Sequence, residues 1–131
     1  MMLAKDALEV RGIDTNRDGI EDANRFAKLN NINNTRFYAG NIIPFMHQFK
    51  DEGFVPDVLI VDPPRKGMDL NLINYLKKNP IKNVVYVSCN PSTLAKNVNH
   101  LQKEYVVEYI TPVDMFPQTS SVEAVCLLKR R

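Results

Sequence analysis

Polar residues able to do chemistry stand at the ends of apolar runs in this sequence. Asp62 closes the run Val58–Val61 and is followed by Pro63, Pro64 and Arg65. Cys89 and Asn90 close Val84–Ser88 and precede Pro91. Glu123 sits among Val122, Ala124 and Val125, Asp14 ends a shorter run, and Asn41 follows Gly40. A cysteine where a strand meets a helix N-terminus has a lowered thiol pKa and favours the nucleophilic thiolate. The alternative is a buried, inert thiol, the commoner fate of a free cysteine. A carboxylate within an apolar strand either faces water at the strand start or is held in a site, where partial burial makes it a usable base. Two prolines in succession hold the backbone extended and withdraw two donors. They make a stiff lip with Asp62 at a sheet edge and Arg65 pointing into the opening, where a guanidinium can bind a phosphate or a base carbonyl. A rigid turn carrying a surface Asp–Arg pair is the other reading. Asp14 reads either as an acceptor for ribose hydroxyls or as an acid complementing a helix dipole, and Gly40-Asn41 reads equally as a turn signal.

Positioning these groups requires alternating elements. Glu9–Asp14 is a short strand. Arg17–Asn30 has helical spacing, with Ile20, Ala23, Phe26 and Ala27 on one face and Asn16 as its cap. Thr35–Ala39 is β-branched and aromatic, hence a strand. Ile42–Lys50 is a weaker helix that tolerates Pro44 only in its first turn. Val58–Val61 is continuously apolar, the pattern of a parallel strand buried on both faces. A helix over Leu70–Lys78 turns Leu72, Ile73 and Leu76 inward, Val84–Ser88 is a second apolar strand, and Pro91–Lys103 is a helix opened by proline. Tyr105–Ile110 and Val122–Lys129 are strands with no room for a helix between them, so they end the chain as an antiparallel pair. Such repetition defines an α/β layer fold with a mostly parallel sheet, whose ligands bind at the carboxyl ends of the strands.

Composition narrows the classes. The 131 residues are 44% hydrophobic and 24% charged with a formal net charge of +2, which suits one domain over 1–131 and excludes disorder and a strongly basic nucleic-acid clamp. No apolar run reaches the roughly eighteen residues of a membrane span, and the N-terminus lacks the apolar core of a signal peptide. His47 and His100 have no second ligand nearby, so no metal is expected. Cys126 reads as core. Two strand cysteines without a secretion signal indicate reduced thiols in the cytoplasm.

Three strings together resemble the RNA uracil-5 methyltransferases, the S-adenosylmethionine-dependent enzymes that make 5-methyluridine in tRNA and 23S rRNA. They are Val61-Asp62-Pro63-Pro64-Arg65-Lys66-Gly67, Val85-Tyr86-Val87-Ser88-Cys89-Asn90-Pro91-Ser92-Thr93-Leu94-Ala95, and Asp114-Met115-Phe116-Pro117-Gln118-Thr119 followed by Val122-Glu123. Their order and spacing match through essentially the whole chain. The resemblance implies a Rossmann-like fold with an antiparallel C-terminal strand, S-adenosylmethionine as cofactor, and an RNA substrate. It implies that Cys89 attacks uracil carbon 6, so that carbon 5 becomes enolate-like and accepts the methyl group. Glu123 then takes the carbon 5 proton. It further places Asp14, Asn41 and Asp62 at the cofactor and Arg65 and Asn90 at the substrate, with the base out of its stack.

The sequence departs from the family in two places. Ser121 stands where the family usually has a histidine. The chain also opens near Leu3-Ala4-Lys5, after the family's first strand and glycine-rich cofactor loop, and residues 1–12 have no clear beginning. The expectation is a C-terminal part of a catalytic domain, with a central gap between the strands ending at Asp14 and at Asp62 that dimerisation, strand exchange or rearrangement closes. A non-catalytic interaction module that keeps the fold without the cofactor is the main alternative. Methylation of an exocyclic base nitrogen, which needs no cysteine, is the other.

Overall fold

The computed structural model describes residues 9–113 and 123–131, the side chains of Val113 and Glu123 excepted. These residues form two compact units, divided between Phe54 and Val55.

The first unit holds β1 (Val10–Asp14), α1 (Arg17–Leu29), β2 (Thr35–Ala39) and α2 (Ile42–Asp51). β1 and β2 run parallel, with Val10 opposite Thr35 and Asp14 opposite Ala39. Asn16 caps α1 by accepting from the Gly19 N–H, satisfying one of the donors a helix start leaves unpaired. Ile20 and Ala27 are buried, but Phe26 is 50% exposed. The expected inward face is thus narrower than its spacing suggested, because a two-stranded ribbon is too narrow to cover a wide helical stripe. Phe49 is the centre of this unit at 2% exposure, packed against the rings of Tyr38, Phe45 and Phe54. Arg11 lies over the Phe49 and Phe54 rings at 4.5 and 4.0 Å, bonded to Glu9 and, at 2.9 Å, to Glu52. Burial disfavours the guanidinium charge, yet its bonds to Glu52 and Glu9 outweigh this and raise its pKa.

The second unit holds β3 (Val58–Val61), α3 (Leu70–Lys78), β4 (Asn83–Ser88), α4 (Pro91–His100), β5 (Tyr105–Val113) and β6 (Glu123–Arg130). Its sheet has the order β3-β4-β6-β5. β3 and β4 are parallel, whereas β6 is antiparallel to both β4 and β5. The last two strands therefore pair as expected, with β6 inserted beside β4. Val84, Tyr86, Cys126 and Leu128 are each at most 1% exposed, and the register sets Val84 opposite Leu128 and Tyr86 opposite Cys126. Leu72, Ile73 and Leu76 are buried in α3. The Tyr105 hydroxyl accepts from the Ile81 N–H and donates to the Ile81 carbonyl, both at 2.7 Å.

β3 corrects one expectation. Val58 and Ile60, which share a face, are 48% and 49% exposed, so this all-apolar strand is not buried on both sides. The cause is its place at the rim of the sheet, where β4 is its one partner among the described residues.

Candidate functional site

Strand direction assembles the candidate residues of the second unit. In the β3–β4 register Val61 faces Tyr86, so Asp62 leaves the sheet at its carboxyl edge. β4 ends one residue before Cys89, with Ser88 opposite Ala124 of the antiparallel β6. Glu123, which opens β6 opposite Val113, therefore arrives at the edge from which Asp62 and Cys89 depart. Neighbouring strands lie about 4.8 Å apart, so Cys89 follows the strand flanked by those carrying Asp62 and Glu123. The side chain of Glu123 and the string Asp114–Val122, Ser121 included, lie outside the described residues.

The turn at Cys89 is braced by its neighbours. Ser88, 4% exposed, donates from its hydroxyl to the Asn90 carbonyl at 2.9 Å and accepts from the Asn90 N–H at 3.1 Å. Asn90 caps α4, its Oδ1 accepting from the Ser92 N–H at 3.0 Å, and Pro91 takes the first helical turn as expected. Asn90 Nδ2 donates to the Arg65 carbonyl at 3.1 Å. The Thr93 hydroxyl stands 3.1 Å from both the Arg65 and the Asn90 carbonyl; its single proton serves one at a time. The diproline lip and the cysteine turn are thus tied directly. Asp62 and Arg65 are exposed, while Cys89 and Asn90 are part-buried. Cys126 is 0% exposed, and burial pushes its thiol pKa up, as suits a core thiol.

The lip turns on Gly67. Its N–H donates to the Pro64 carbonyl at 2.8 Å, and its φ of +99° is a conformation that favours glycine. Beyond it the Met68 N–H donates to the buried Oδ1 of Asn97 at 2.8 Å. Thr93, Asn97 and Tyr86 escaped the sequence reading. Asn97 had a signal, a polar residue three positions after Leu94 in the apolar stripe of α4.

In the first unit Asp14 is exposed at the carboxyl end of β1, and its Oδ1 accepts from the Asn16 N–H at 3.0 Å. Asn41 precedes α2 and makes no side-chain capping bond. Gly40 before it has φ +149°, and a Cβ there would meet the Phe45 ring at 2.8 Å. An exposed acid at a strand's carboxyl end and an amide not spent on capping are donors and acceptors suited to a nucleoside's hydroxyls and base.

An apolar groove of about 490 Å³ runs along α4, with Pro91, Leu94, Ala95, Val98, Ile110 and Ala124 in its lining. Asp62, Arg65 and Cys89 do not line it. Among the described residues no group of three or more His, Cys, Asp or Glu could hold a metal, and no described helix is long and apolar enough to cross a membrane.

This architecture is that of the S-adenosylmethionine-dependent methyltransferases. The crystal structure of Pyrococcus abyssi tRNA (uracil-54, C5)-methyltransferase in complex with S-adenosyl-L-homocysteine matches it with a TM-score of 0.79 and 36% identity, covering 96% of this chain and 30% of that one. An rRNA methylase from Streptococcus thermophilus shares the fold at a TM-score of 0.67 and 12% identity, over 98% of this chain and 76% of its own. The chain belongs to the tRNA (uracil-5-)-methyltransferase family, whose pattern matches residues 18–131. An uncharacterized RNA methyltransferase of Bacillus cereus is 48% identical over 131 residues, all of this chain and 28% of the relative. Another, from Listeria innocua, is 50% identical over 123 residues, 94% of this chain and 27% of its own length. The chain thus spans little more than a quarter of these curated relatives.

Proposed function

We propose that this chain forms part of an enzyme that transfers a methyl group from S-adenosylmethionine to carbon 5 of a uridine in tRNA or rRNA. The observation that supports this best is the convergence of Asp62, Cys89 and Glu123 on one sheet edge. Bound S-adenosylmethionine supplies an electrophilic methyl group. By the family resemblance Asp14 and Asn41 would hold its nucleoside part, and Asp62 would serve the methyl donor and the target base. Arg65 and Asn90 orient the RNA, Asn90 through the turn that it caps. The Cys89 thiolate adds to uracil carbon 6, which shifts electron density to carbon 5 and makes it the nucleophile for the methyl group. Glu123 removes the carbon 5 proton, the carbon 5–carbon 6 double bond re-forms, and the thiolate leaves. The target base must leave its stack to reach these groups.

Residues 1–131 act as one catalytic domain in the cytoplasm, and the side of β3 away from β4, unpaired among the described residues, is closed by a second copy or an exchanged strand. Residues 1–131 by themselves are expected to transfer no methyl group. Calorimetry tests this part: no heat with S-adenosylmethionine from the chain, and heat from a chimera carrying the rest of the Bacillus cereus relative. Nucleoside analysis of RNA treated with the chimera tests the reaction. The expected product is 5-methyluridine, and a methyl group on an exocyclic nitrogen would refute the assignment.

A further inference from the structure

The lip that presents Asp62 and Arg65 is held from one face of α4. Asn90, Thr93 and Asn97 recur at the spacing that aligns side chains along a helix. Asn90 and Thr93 reach the Arg65 carbonyl, and Asn97 reaches the far end of the lip. Asn97 is 6% exposed, and Met68, its partner, is 7% exposed. Asn97 Oδ1 accepts both the Met68 N–H at 2.8 Å and the hydroxyl of Tyr86, itself 1% exposed, at 2.7 Å. Gly67 closes on the same oxygen, since a Cβ there would stand 2.9 Å from Asn97 Oδ1 and 3.3 Å from Thr93 Cβ. One buried oxygen therefore joins the lip, α4 and β4, the strand that leads into Cys89.

We propose that Asn97 is a positioning residue. Through Met68 it fixes the Asp62–Arg65 lip against the turn that carries Cys89, and so sets the acid and the thiol in register. The inference rests on Asp62 and Cys89 sharing one site. Removing the Asn97 side chain leaves two buried donors without their acceptor, a cost larger than the loss of an ordinary hydrogen bond, and the lip relieves it by opening toward water. The opening frees the Arg65 carbonyl from Asn90 and Thr93 and uncovers Cys89.

Alkylation by iodoacetamide, followed residue by residue by peptide mass spectrometry, tests this in the chain as it stands. Cys126, at 0% exposure, reports any general loss of fold. Asn97→Ala is expected to raise the Cys89 rate about 5- to 30-fold, the range for a one-to-two kcal/mol local opening, with Cys126 still protected. Asn97→Asp keeps an acceptor oxygen of the same shape and is expected to restore the rate to within about twofold of the parent. Tyr86→Phe removes one of the two donors and falls between. An unchanged Cys89 rate in Asn97→Ala overturns the proposal, as does failure of Asn97→Asp to restore it. Should Asn97→Ala expose Cys126 as well, Gly67→Ala decides by straining the same lip from the opposite side. It must raise the Cys89 rate alone, and an unchanged rate there overturns the proposal. These rates need neither RNA nor cofactor. They stand even if Cys89 forms no adduct with a pyrimidine, the outcome that would end the catalytic reading instead.

Discussion

Replacing Asn90 separates what this residue does for the fold from what it does for a substrate. Its Oδ1 caps α4 through the Ser92 N–H at 3.0 Å, and its Nδ2 donates to the Arg65 carbonyl at 3.1 Å. Loss of an N-cap costs about 0.5–2 kcal/mol. Loss of an ordinary hydrogen bond costs about 0.5–1.5 kcal/mol. Asn90→Ala loses both and is expected to destabilise the second unit by about 1–3.5 kcal/mol. Asn90→Asp keeps a capping oxygen and an acid at a helix N-terminus while losing only the donor to Arg65. It is expected to cost no more than about 1.5 kcal/mol. Urea unfolding followed by tyrosine fluorescence suits the measurement. The chain has no tryptophan, and Tyr75, Tyr86, Tyr105 and Tyr109 all lie in the second unit. Equal losses in the two variants, or a loss below about 0.5 kcal/mol in Asn90→Ala, would refute the capping argument and leave Asn90 free for the substrate.

Other outcomes follow from single contacts. Tyr105→Phe strips both partners from the buried Ile81 backbone and is expected to destabilise the second unit by about 2–4 kcal/mol in the same urea experiment. Leu76→Ala, at a position with 0% exposure, is expected to cost about 2–5 kcal/mol there. Glu52 titrates below its ordinary value of 4.5, chiefly through its bond from Arg11 and then that from Gln48. A depressed carboxyl adds stability that is fully present above that value and is lost as pH falls through the lower folded-state value. The protection of the Val10–Asp14 amides, measured as the ratio of intrinsic to observed hydrogen-exchange rate at each pH, is therefore expected to fall on acidification below about pH 4.5, and less so in Glu52→Gln.

Much of this arrangement is legible in the sequence because local and global signals agree. The apolar run Val84–Ser88 forms β4, Pro91 opens α4, and the short link before the last strand leaves only an antiparallel return. Two of the strings that resemble the family lie at the carboxyl ends of β3 and β4, and of the third Glu123 opens β6 while the rest lies outside the described residues. Two features resisted because they depend on what lies beside an element. Val58 and Ile60 carry the pattern of a strand covered on both sides, yet β3 lies at the rim of its sheet, and a strand's pattern does not reveal its neighbours. Phe26 follows helical spacing, yet a two-stranded ribbon cannot cover it. The clamp built on Asn97 resisted for another reason. Its bonds run from α4 to Met68 and to Tyr86, 29 and 11 residues away, and side-chain pairing over such separations leaves no periodic trace.

The nucleophilic role of Cys89 is tested most directly by incubating the chimera that carries this chain with RNA containing 5-fluorouracil and mapping the product by peptide mass spectrometry. Fluorine at carbon 5 cannot leave as a proton does, so the step assigned to Glu123 stalls and the carbon 6 thioether persists. A methylated nucleotide attached to the peptide bearing Cys89, absent in Cys89→Ser, is the expected result. An unmodified Cys89 in protein that binds S-adenosylmethionine, or methyl transfer retained in Cys89→Ala, would contradict the covalent route.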